Sequence, residues 1–427
     1  GQSVSYNLNV ENCFTKDSNV AKGGIIDCAD SFFNTNITGC KVENLTLDIT
    51  KGYNTYAVGG IAAVLFNEAN ITDCSVKGLN VTKAEQVGGM VGSFVKGTGN
   101  AQLLIKDCGI MDTKLADTSS FGGMVCVTNG FSKIENCNVN NIEGVCKWYA
   151  GGIAGNLITH TESESIVSKC VVNNLNIKGG DNASGIVGYS DNVNVSDCIV
   201  SNSRIENGNT GGISGFVAKG IITRCITKNV DLINTQGKVG GITGGTNLAV
   251  IDDCQVYGGS ITSTSEYKFV GGICGLGTNV LNCTVENLTI NAESTSGVGG
   301  IIGNGKNEVS TSLIQNCSVK NCKIKGKNYV GGIAGAASIN ISNCQVEGST
   351  LEGTDGVGGI QGFGGEFTDA TKYVPIKIDK GEVTNTEIKG TTNVNNIQGC
   401  NTYVKDSTDP TKDTITNCKY NGSAVTQ

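Results

Sequence analysis

The stretch that decides the fold is clearest at Val330-Gly331-Gly332-Ile333-Ala334-Gly335, which is followed after five residues by Ile341-Ser342-Asn343-Cys344-Gln345-Val346. The Gly-Gly phrase recurs along the chain, and from Gly60 to Gly359 there are ten steps over 299 residues, a mean period of 29.9. A fixed period of this length indicates a repeat architecture. We therefore interpret the whole chain as one array of about 13 units.

A second phrase places a cysteine at the same point of most repeats. It reads Ile71-Thr72-Asp73-Cys74-Ser75-Val76 in one copy, and a third phrase such as Val285-Glu286-Asn287-Leu288-Thr289-Ile290 follows it. Twelve of the 19 cysteines occupy this position and form what we call the cysteine ladder: Cys40, Cys74, Cys108, Cys137, Cys170, Cys198, Cys225, Cys254, Cys283, Cys317, Cys344 and Cys418.

All three phrases place apolar or small residues at relative positions 0, 3 and 5. A step of two is ordinary for a strand, but the step of three requires a bend that takes up one extra residue. Gly-Gly occupies this bend in the first phrase, and Asp or Asn precedes the cysteine in nine of 12 copies, with Gly39, Lys169 and Arg224 as the exceptions. Because Gly, Asn and Asp tolerate left-handed backbone angles, we expect left-handed residues at these corners.

Short strands that meet at corners and recur every ~30 residues are typical of a parallel β-helix. The sequence predicts an all-β protein, a single right-handed parallel β-helix (solenoid) of about 13 coils with three short strands per coil. The handedness follows the general preference of parallel crossovers. We expect residues 1–20 to form an N-terminal cap or partial coil, residues 21–399 the β-helix, and residues 400–427 a last partial coil or C-terminal cap.

Equivalent side chains stack in such a coil, so we expect the cysteine ladder to be an internal column of reduced thiols. Adjacent coils place Cβ atoms ~4.8 Å apart, which is longer than a disulfide prefers, and the sequence spacing does not resemble a zinc-binding CxxC pair. We expect Cys322 to face inward, Cys126 to replace an inward glycine, and Cys274 to face outward as the most reactive thiol. Seven cysteines lie outside the ladder: Cys13, Cys28, Cys126, Cys146, Cys274, Cys322 and Cys400.

The composition narrows the classes of function. The formal net charge is −7 and only two arginines are present, so the basic clusters that bind nucleic acid are missing. No apolar run is long enough to predict a membrane span. A surface rich in Asn, Ser and Thr together with free thiols favours a secreted or cell-surface protein of an anaerobic bacterium. Because the chain starts at Gly1 instead of Met, we expect a processed chain or a fragment.

The phrase Val330-Gly331-Gly332-Ile333-Ala334-Gly335 with Ile341-Ser342-Asn343-Cys344-Gln345-Val346 resembles the GLUG repeat, and the resemblance covers roughly residues 20–425. GLUG repeats occur in bacterial surface proteins and in the non-catalytic part of some immunoglobulin A-cleaving metallopeptidases. The resemblance therefore implies an adhesive or accessory segment. It supplies no catalytic residue, because the only histidine, His160, is not part of an HExxH zinc motif.

A carbohydrate-active enzyme is the alternative, because parallel β-helices also serve as polysaccharide lyases and glycoside hydrolases. Glycoside hydrolysis needs two carboxylates that face one cleft, and the 38 acidic residues supply carboxylates at many places. Asp252-Asp253 is one candidate pair, but Asp253 lies at the corner before Cys254, which favours a structural role. The sequence assigns no catalytic residue and implies no cofactor.

Binding is the more favoured activity, and it would use irregular segments on a rigid scaffold. Longer segments at 93–104, 156–166, 304–313, 363–377 and 400–414 share one coil position, so we expect them to project from one side. On the opposite loop, aromatic side chains cluster just before Gly-Gly. Exposed rings there would stack on sugars or anchor a protein, and the favoured alternative is that they cover the coil edge and fill gaps. The aromatic candidates just before Gly-Gly are Phe121, Trp148, Tyr149, Tyr267, Phe269 and Tyr329.

One loop carries a weak calcium motif, formed by Asp406, Asp409 and Asp413, for which an ordinary solvated loop is the favoured interpretation. No metal site is predicted. The sequence as a whole predicts a non-catalytic extracellular or cell-surface rod that acts as an adhesin or spacer. Its expected partners are a host glycan or surface protein, or further repeats or domains of the same polypeptide. The alternatives are the carbohydrate-active enzyme and the accessory region of a larger secreted peptidase.

Overall fold

A computed structural model describes most of the chain, namely residues 6–16, 19–20, 23–29, 33–48, 57–95, 102–159, 163–266, 268–306, 312–364, 376–401 and 414–425. The chain divides into two compact units, which comprise Gly1–Asn207 with Ile213–Gly215 and Gly208–Gly212 with Phe216–Gln427. Each unit is a stack of coils made of short strands. The part of the chain that the structure describes contains no helix suited to crossing a membrane.

Three sheets run along each stack. The first sheet holds the strand that precedes each ladder cysteine, the second holds the strands between the ladder and the Gly-Gly doublet, and the third holds the strand after the doublet. The first sheet comprises Tyr6–Glu11, Phe33–Thr38, Ala69–Thr72, Gln102–Lys106, Phe131–Glu135, Ser165–Ser168 and Val193–Ser196 in the first unit, and Ile221–Thr223, Val250–Asp252, Asn279–Leu281, Leu313–Gln315, Asn340–Ser342, Lys377–Asp379 and Thr414–Thr416 in the second.

The second sheet has up to three strands per coil, and in some coils these merge into one longer strand. In the first unit they are Phe14–Lys16, Asn19–Val20, Lys41–Glu43, Thr46–Asp48, Ala57–Gly59, Ser75–Lys77, Asn80–Thr82, Gln86–Gly88, Gly109–Thr118, Ser120–Gly122, Asn138–Cys146, Tyr149–Gly151, Val171–Lys178, Asn182–Ser184 and Ile199–Glu206. In the second unit they are Asn209–Gly211, Ile226–Asn234, Val239–Gly240, Gln255–Tyr257, Ser260–Ser263, Val270–Gly271, Thr284–Glu286, Thr289–Gly299, Ser318–Lys320, Lys323–Gly331, Gln345–Glu347, Thr350–Glu352, Asp355–Gly358, Glu382–Thr384, Glu387–Lys389, Thr392–Asn395, Cys418–Tyr420 and Ser423–Val425.

The third sheet has one strand per coil. Its strands are Ile26–Cys28, Ala62–Phe66, Val91–Val95, Val125–Asn129, Ala154–Ile158 and Val187–Asp191 in the first unit, and Thr243–Thr246, Cys274–Gly277, Ile302–Gly305, Ala334–Ala337, Gln361–Gly364 and Gln398–Asn401 in the second. Ser214–Val217 belongs in part to each unit.

The strands pair in parallel with the repeat in register, so that equivalent residues lie above one another. Ile71 pairs with Ile37 on one side and with Ile105 on the other, and Val319 pairs with Val285 and Val346 in the same way. These side chains are buried. The parallel, in-register stacking confirms the predicted all-β parallel β-helix. In the described residues the antiparallel exception is the pair Cys418–Tyr420 and Ser423–Val425.

The corner before each ladder cysteine has the predicted left-handed backbone. All twelve residues at this position have φ between 51° and 66°, including the exceptions in residue type, Lys169 at 55° and Arg224 at 51°. Lys380, which precedes the glycine that replaces a ladder cysteine, has φ of 56°. The shape of the coil therefore imposes the left-handed angle even on a residue type for which it costs free energy.

The Gly-Gly corner does not have the predicted left-handed backbone, and this expectation was wrong. Among the described residues, no doublet of the repeated Val-Gly-Gly-Ile phrase has a positive φ. A Cβ on Gly59 would overlap the carbonyl oxygen of Ala62, and a Cβ on Gly60 would overlap the carbonyl oxygen of Gly89 in the next coil. The doublet is therefore needed because two backbones approach closely at this corner, a different use of glycine from conformational freedom.

The cysteine ladder lies inside the coils. Its twelve side chains are between 0% and 2% exposed, and all 19 cysteines are free thiols. A ladder thiol donates to the carbonyl oxygen two residues before it, as Cys283 does to Leu281 at 3.0 Å and Cys108 to Lys106 at 3.2 Å. This hydrogen bond satisfies a weak donor that would otherwise be buried without a partner.

Candidate binding surface

The aromatic candidates have different environments. Trp148 is 52% exposed, and Tyr149 and Tyr329 are partly buried. Phe121 and Phe269 are only 0% and 6% exposed, so at these two positions the favoured alternative applies and the ring is not available to a ligand. Their rings fill the interior and cover the coil edge instead.

Several sequence candidates lie outside the described residues: His160, Tyr267, Asp406, Asp409 and Asp413. The same holds for the central residues of the five long segments, for example those between Val91–Val95 and Gln102–Lys106. All five segments join a strand of the third sheet to the following strand of the first sheet, so they share one coil position.

The aromatic side chains before the Gly-Gly corner pack against the third-sheet strand of the next coil. The ring centroids of Tyr149 and Tyr189 are 6.0 Å apart, and those of Tyr329 and Phe363 are 4.7 Å apart. Burial raises the pKa of both Tyr189 and Tyr329. The outward faces of the strands on either side of this corner therefore face each other, and the corner is concave.

Because the corner is concave, the expectation that Cys274 is the most reactive thiol was wrong. This thiol is 0% exposed, and burial raises its pKa to about 12. It lies on the same side of its strand as Leu276, whose register partner Gly245 lies against Lys238 and Phe216. Cys274 thus points away from the central interior, but it is covered within the corner and is not the reactive thiol. Cys28 is the exposed cysteine.

Three other cysteines outside the ladder are buried. Cys126 is 0% exposed and Cys322 is 1% exposed, both in inward positions. Cys146 is 3% exposed, and burial raises its pKa to about 11. Its sulfur lies 3.4 Å from the hydroxyl of Thr118.

A polar groove of about 410 Å³ lies on the outer face of the second sheet in the first unit. We call it the Lys114 groove. In one column of stacked side chains Lys114 pairs in register with Glu143, which pairs with Asn176. In the neighbouring column Val145 pairs with Lys178, which pairs with Glu206. The groove is lined by Lys114, Leu115, Glu143, Gly144, Val145, Asn176, Lys178 and Glu206.

Two local irregularities produce this groove. Gly144 occupies a place between Leu115 and Ile177 in an otherwise apolar column, and a Cβ there would lie 2.5 Å from Cβ of Leu115. The register also shifts between Leu115 and Thr118, where the strand has an extra residue. A bulge re-aims side chains, and here Val145 next to the missing side chain is 54% exposed.

The charged groups at the two ends of the groove differ in their partners. Glu206 interacts with Arg204 at 2.5 Å and with Lys178 at 4.0 Å. Within the described part of the chain, the side chains of Lys114, Glu143 and Asn176 make neither a hydrogen bond nor an ion pair. Three adjacent coils therefore present a donor, an acceptor and an amide to solvent in one column.

The second unit has a groove of about 340 Å³ at the equivalent strands of its own coils. We call it the Lys325 groove. It too adjoins a register shift, between Ala292 and Ser296. Its residues pair with each other: Lys325 lies 3.1 Å from Glu293 and 2.9 Å from Glu352, and both carboxylates raise the pKa of Lys325.

Most outward carboxylates near the corners link one coil to the next. Asp252 accepts a hydrogen bond from the amide of Asn282 at 2.7 Å, and Asp253 is the left-handed residue before Cys254. Hydrogen bonds from Thr416 and Asn417 lower the pKa of Asp379. Asp252 and Asp379 thus accept hydrogen bonds from the following coil in surface ladders. No cluster of three or more potential metal ligands occurs among the residues that the structure describes.

The two grooves were not anticipated from the sequence. The available signals were Gly144 at a position where other coils have Leu, Ile or Val, and the longer spacing between the third phrase and Gly-Gly in the coil of Thr289–Gly299. Both signals identify a coil that departs from the pattern. Neither reveals that the departure opens a groove, because that depends on the side chains of neighbouring coils.

The stacked coils define a class of protein, the parallel β-solenoids built from sequence repeats. The family model described as the GLUG motif matches residues 54–82, a span that includes the Gly59-Gly60 corner and Cys74. The chain therefore contains the GLUG motif, as its sequence phrases predict. No curated protein matches the chain.

Proposed function

We propose that the chain is a non-catalytic repeat protein, secreted or held at a bacterial cell surface, that acts as an adhesin or spacer and binds a host glycan or surface protein. The observation that carries this proposal is Trp148, the only tryptophan, whose side chain is 52% exposed on a rigid scaffold. An exposed indole loses apolar contact with water when it stacks on a sugar face or a protein.

The state of the surface carboxylates supports a non-catalytic role. A general acid in glycoside hydrolysis needs a raised pKa, so that it holds a proton near neutral pH. The carboxylates with shifted values in the described residues, Asp117 and Asp379, are shifted downward, by Lys147 in the first case and by Thr416 and Asn417 in the second. Both are suited to accept hydrogen bonds and neither is suited to donate a proton.

The test is binding of the purified protein to a glycan array and to immobilised host surface proteins, with Trp148→Ala as the variant. We expect the substitution to weaken binding at least ~tenfold, because aromatic hot spots contribute ~2 kcal/mol or more. Leu248→Ala is the matched control, since Leu248 is also exposed, at 48%, and lies in the second unit. Unchanged binding by Trp148→Ala, with a native circular dichroism spectrum, would contradict the role of Trp148, and a lack of binding to every glycan and surface protein would contradict the proposal.

A second measurement addresses catalysis. Glycans bound on the array are incubated with the protein in solution, and the products are analysed for shortened or unsaturated chains. We expect intact glycans. Release of either product would contradict the non-catalytic role and support the alternative, a carbohydrate-active enzyme.

A further inference from the structure

We propose that the Lys114 groove binds a neutral saccharide that runs across the coils. This proposal rests on the proposed function and names the ligand class that the outer face takes. The Lys325 groove lies at the equivalent place in the repeat of the second unit, but its Lys325 is already engaged by Glu293 and Glu352. Lys325 and Lys114 therefore differ in whether the ammonium group is available to a ligand.

The charges that line the groove argue for a neutral ligand. Lys114 and Lys178 alternate with Glu143 and Glu206 along the two columns. A carboxylate or sulfate on a ligand would meet both glutamates, and a cationic ligand would meet both lysines, so like-charge repulsion opposes either. A sugar hydroxyl donates one hydrogen bond and accepts others, so adjacent ammonium and carboxylate groups satisfy both capacities.

The column of Lys114, Glu143 and Asn176 sets the direction of the ligand. These residues lie in three successive coils and are joined by strand register, so their side chains repeat at the coil spacing of ~4.8 Å. Their side chains have no partners within the described residues. A chain of sugar units that crosses the strands meets a new polar group at each coil, whereas a single small molecule meets only one or two.

The apolar part of the groove completes the site. Leu115 and the exposed side chain of Val145 lie beside the polar columns, and the Leu115 side chain packs closely over Gly144, where a Cβ would lie 2.5 Å from Cβ of Leu115. The C–H face of a pyranose ring is apolar and packs on such a surface. The volume of about 410 Å³ lies within the usual range of small-molecule sites, ~300–1,000 Å³.

The experiment begins with an array of neutral hexose and N-acetylhexosamine oligosaccharides beside oligosaccharides that contain uronic or sialic acid. The strongest neutral binder is then titrated by calorimetry at low and high salt. We expect Lys114→Ala and Glu143→Ala each to weaken binding ~tenfold, the effect of losing one charge-assisted hydrogen bond. Salt should change the affinity by less than ~twofold, because no net charge is neutralised.

Lys325→Ala is the matched control. It removes a lysine whose ammonium group is engaged by two carboxylates, and we expect it to leave the affinity unchanged. Lys114 and Glu143 are exposed, so neither substitution should alter the fold, which the thermal unfolding midpoint checks. Binding of acidic oligosaccharides alone with strong salt dependence would overturn the proposal, and so would neutral binding that is insensitive to both groove variants.

The failures of the two proposals are distinguishable. If glycans bind and Trp148→Ala removes the binding while both groove variants keep it, the groove assignment fails and the adhesive function stands. If no glycan and no surface protein binds at all, both fail.

Discussion

Gly152 shows how strongly the packing between coils restricts a single residue. A Cβ at this position would overlap the carbonyl oxygen of Gly185 in the next coil, and it would lie 2.9 Å from both Cγ atoms of Val172. The carbonyl belongs to backbone that is held by parallel pairing, so it cannot move aside without disturbing another coil. Gly109 is different, since its nearest neighbour, the carbonyl oxygen of Asn138, would lie 4.0 Å from a Cβ.

We therefore predict that Gly152→Ala destabilises the protein by ~3 kcal/mol or more, at the upper end of overpacking effects. Gly109→Ala, in the same unit, should change the free energy of unfolding by less than ~0.5 kcal/mol, as is usual for open positions. Both values come from urea denaturation followed by circular dichroism. Equal midpoints for the two variants would contradict the role assigned to the Gly-Gly corner.

For single residues, the sequence predicted the backbone angle at the corner before the ladder cysteine, but it did not predict the backbone angle at the Gly-Gly corner. The spacing of three before the cysteine required a bend with a left-handed residue, and the angle at Lys169 follows from the position even though Lys is not a residue that favours it. The same spacing at Gly-Gly led to the wrong backbone angle. Alternation along a strand tells which side a residue takes, but it does not tell whether the next corner is convex or concave, and this is why Cys274 was expected to be accessible.

The strand Val171–Lys178 shows how one element is divided between interior and solvent. Val172 is 0% exposed and contacts the Gly-Gly corner of its coil, whereas Val171, its neighbour, is 37% exposed. The two side chains are chemically identical and differ only in the face of the strand from which they project. A comparison of the two valines therefore measures the effect of side-chain burial.

We predict that Val172→Ala lowers the free energy of unfolding by ~2 kcal/mol, from lost apolar burial and the cavity left behind. Val171→Ala should change it by less than ~0.5 kcal/mol. Urea denaturation of the two variants side by side measures the difference. A cost for Val171→Ala as large as that for Val172→Ala would show that the strand faces are assigned the wrong way round.

The strands and their register follow from the repeat, but the grooves depend on departures from it. Gly144 and the extra residue between Leu115 and Thr118 shape the groove together. In the sequence, each is only a small departure from the repeat pattern. A repeat pattern averages over coils, so it describes the scaffold well and the differences between coils poorly. Binding sites on such a scaffold are made of those differences.

For the molecule as a whole, the buried thiols set the response to alkaline pH. Burial raises the pKa of Cys146 and Cys322 to about 11 and that of Cys274 to about 12. An unfolded thiol ionises near pH ~8.5. Between these values the unfolded state has lost a proton that the folded state keeps, so stability falls as pH rises, by ~1.4 kcal/mol per pH unit for each such thiol.

We predict that the free energy of unfolding is insensitive to thiol ionisation below pH ~8 and falls steeply above pH ~9, because only there do the two states differ in bound protons. Urea denaturation in the presence of a reductant, repeated across this range, measures the fall. Cys274→Ala should make it shallower, whereas Cys28→Ala, which removes an exposed thiol, should not. A stability that stays constant to pH ~10 would argue against protonated, buried thiols at Cys146, Cys274 and Cys322.

The Gly-Gly corner also determines how such an array changes over generations. A point substitution at a doublet introduces a Cβ that meets the neighbouring coil, so it affects two coils at once. Duplication or loss of a whole coil has no such effect, because each new corner meets another corner of the same shape. Adding or removing a whole coil therefore costs less packing free energy than changing one glycine of a doublet.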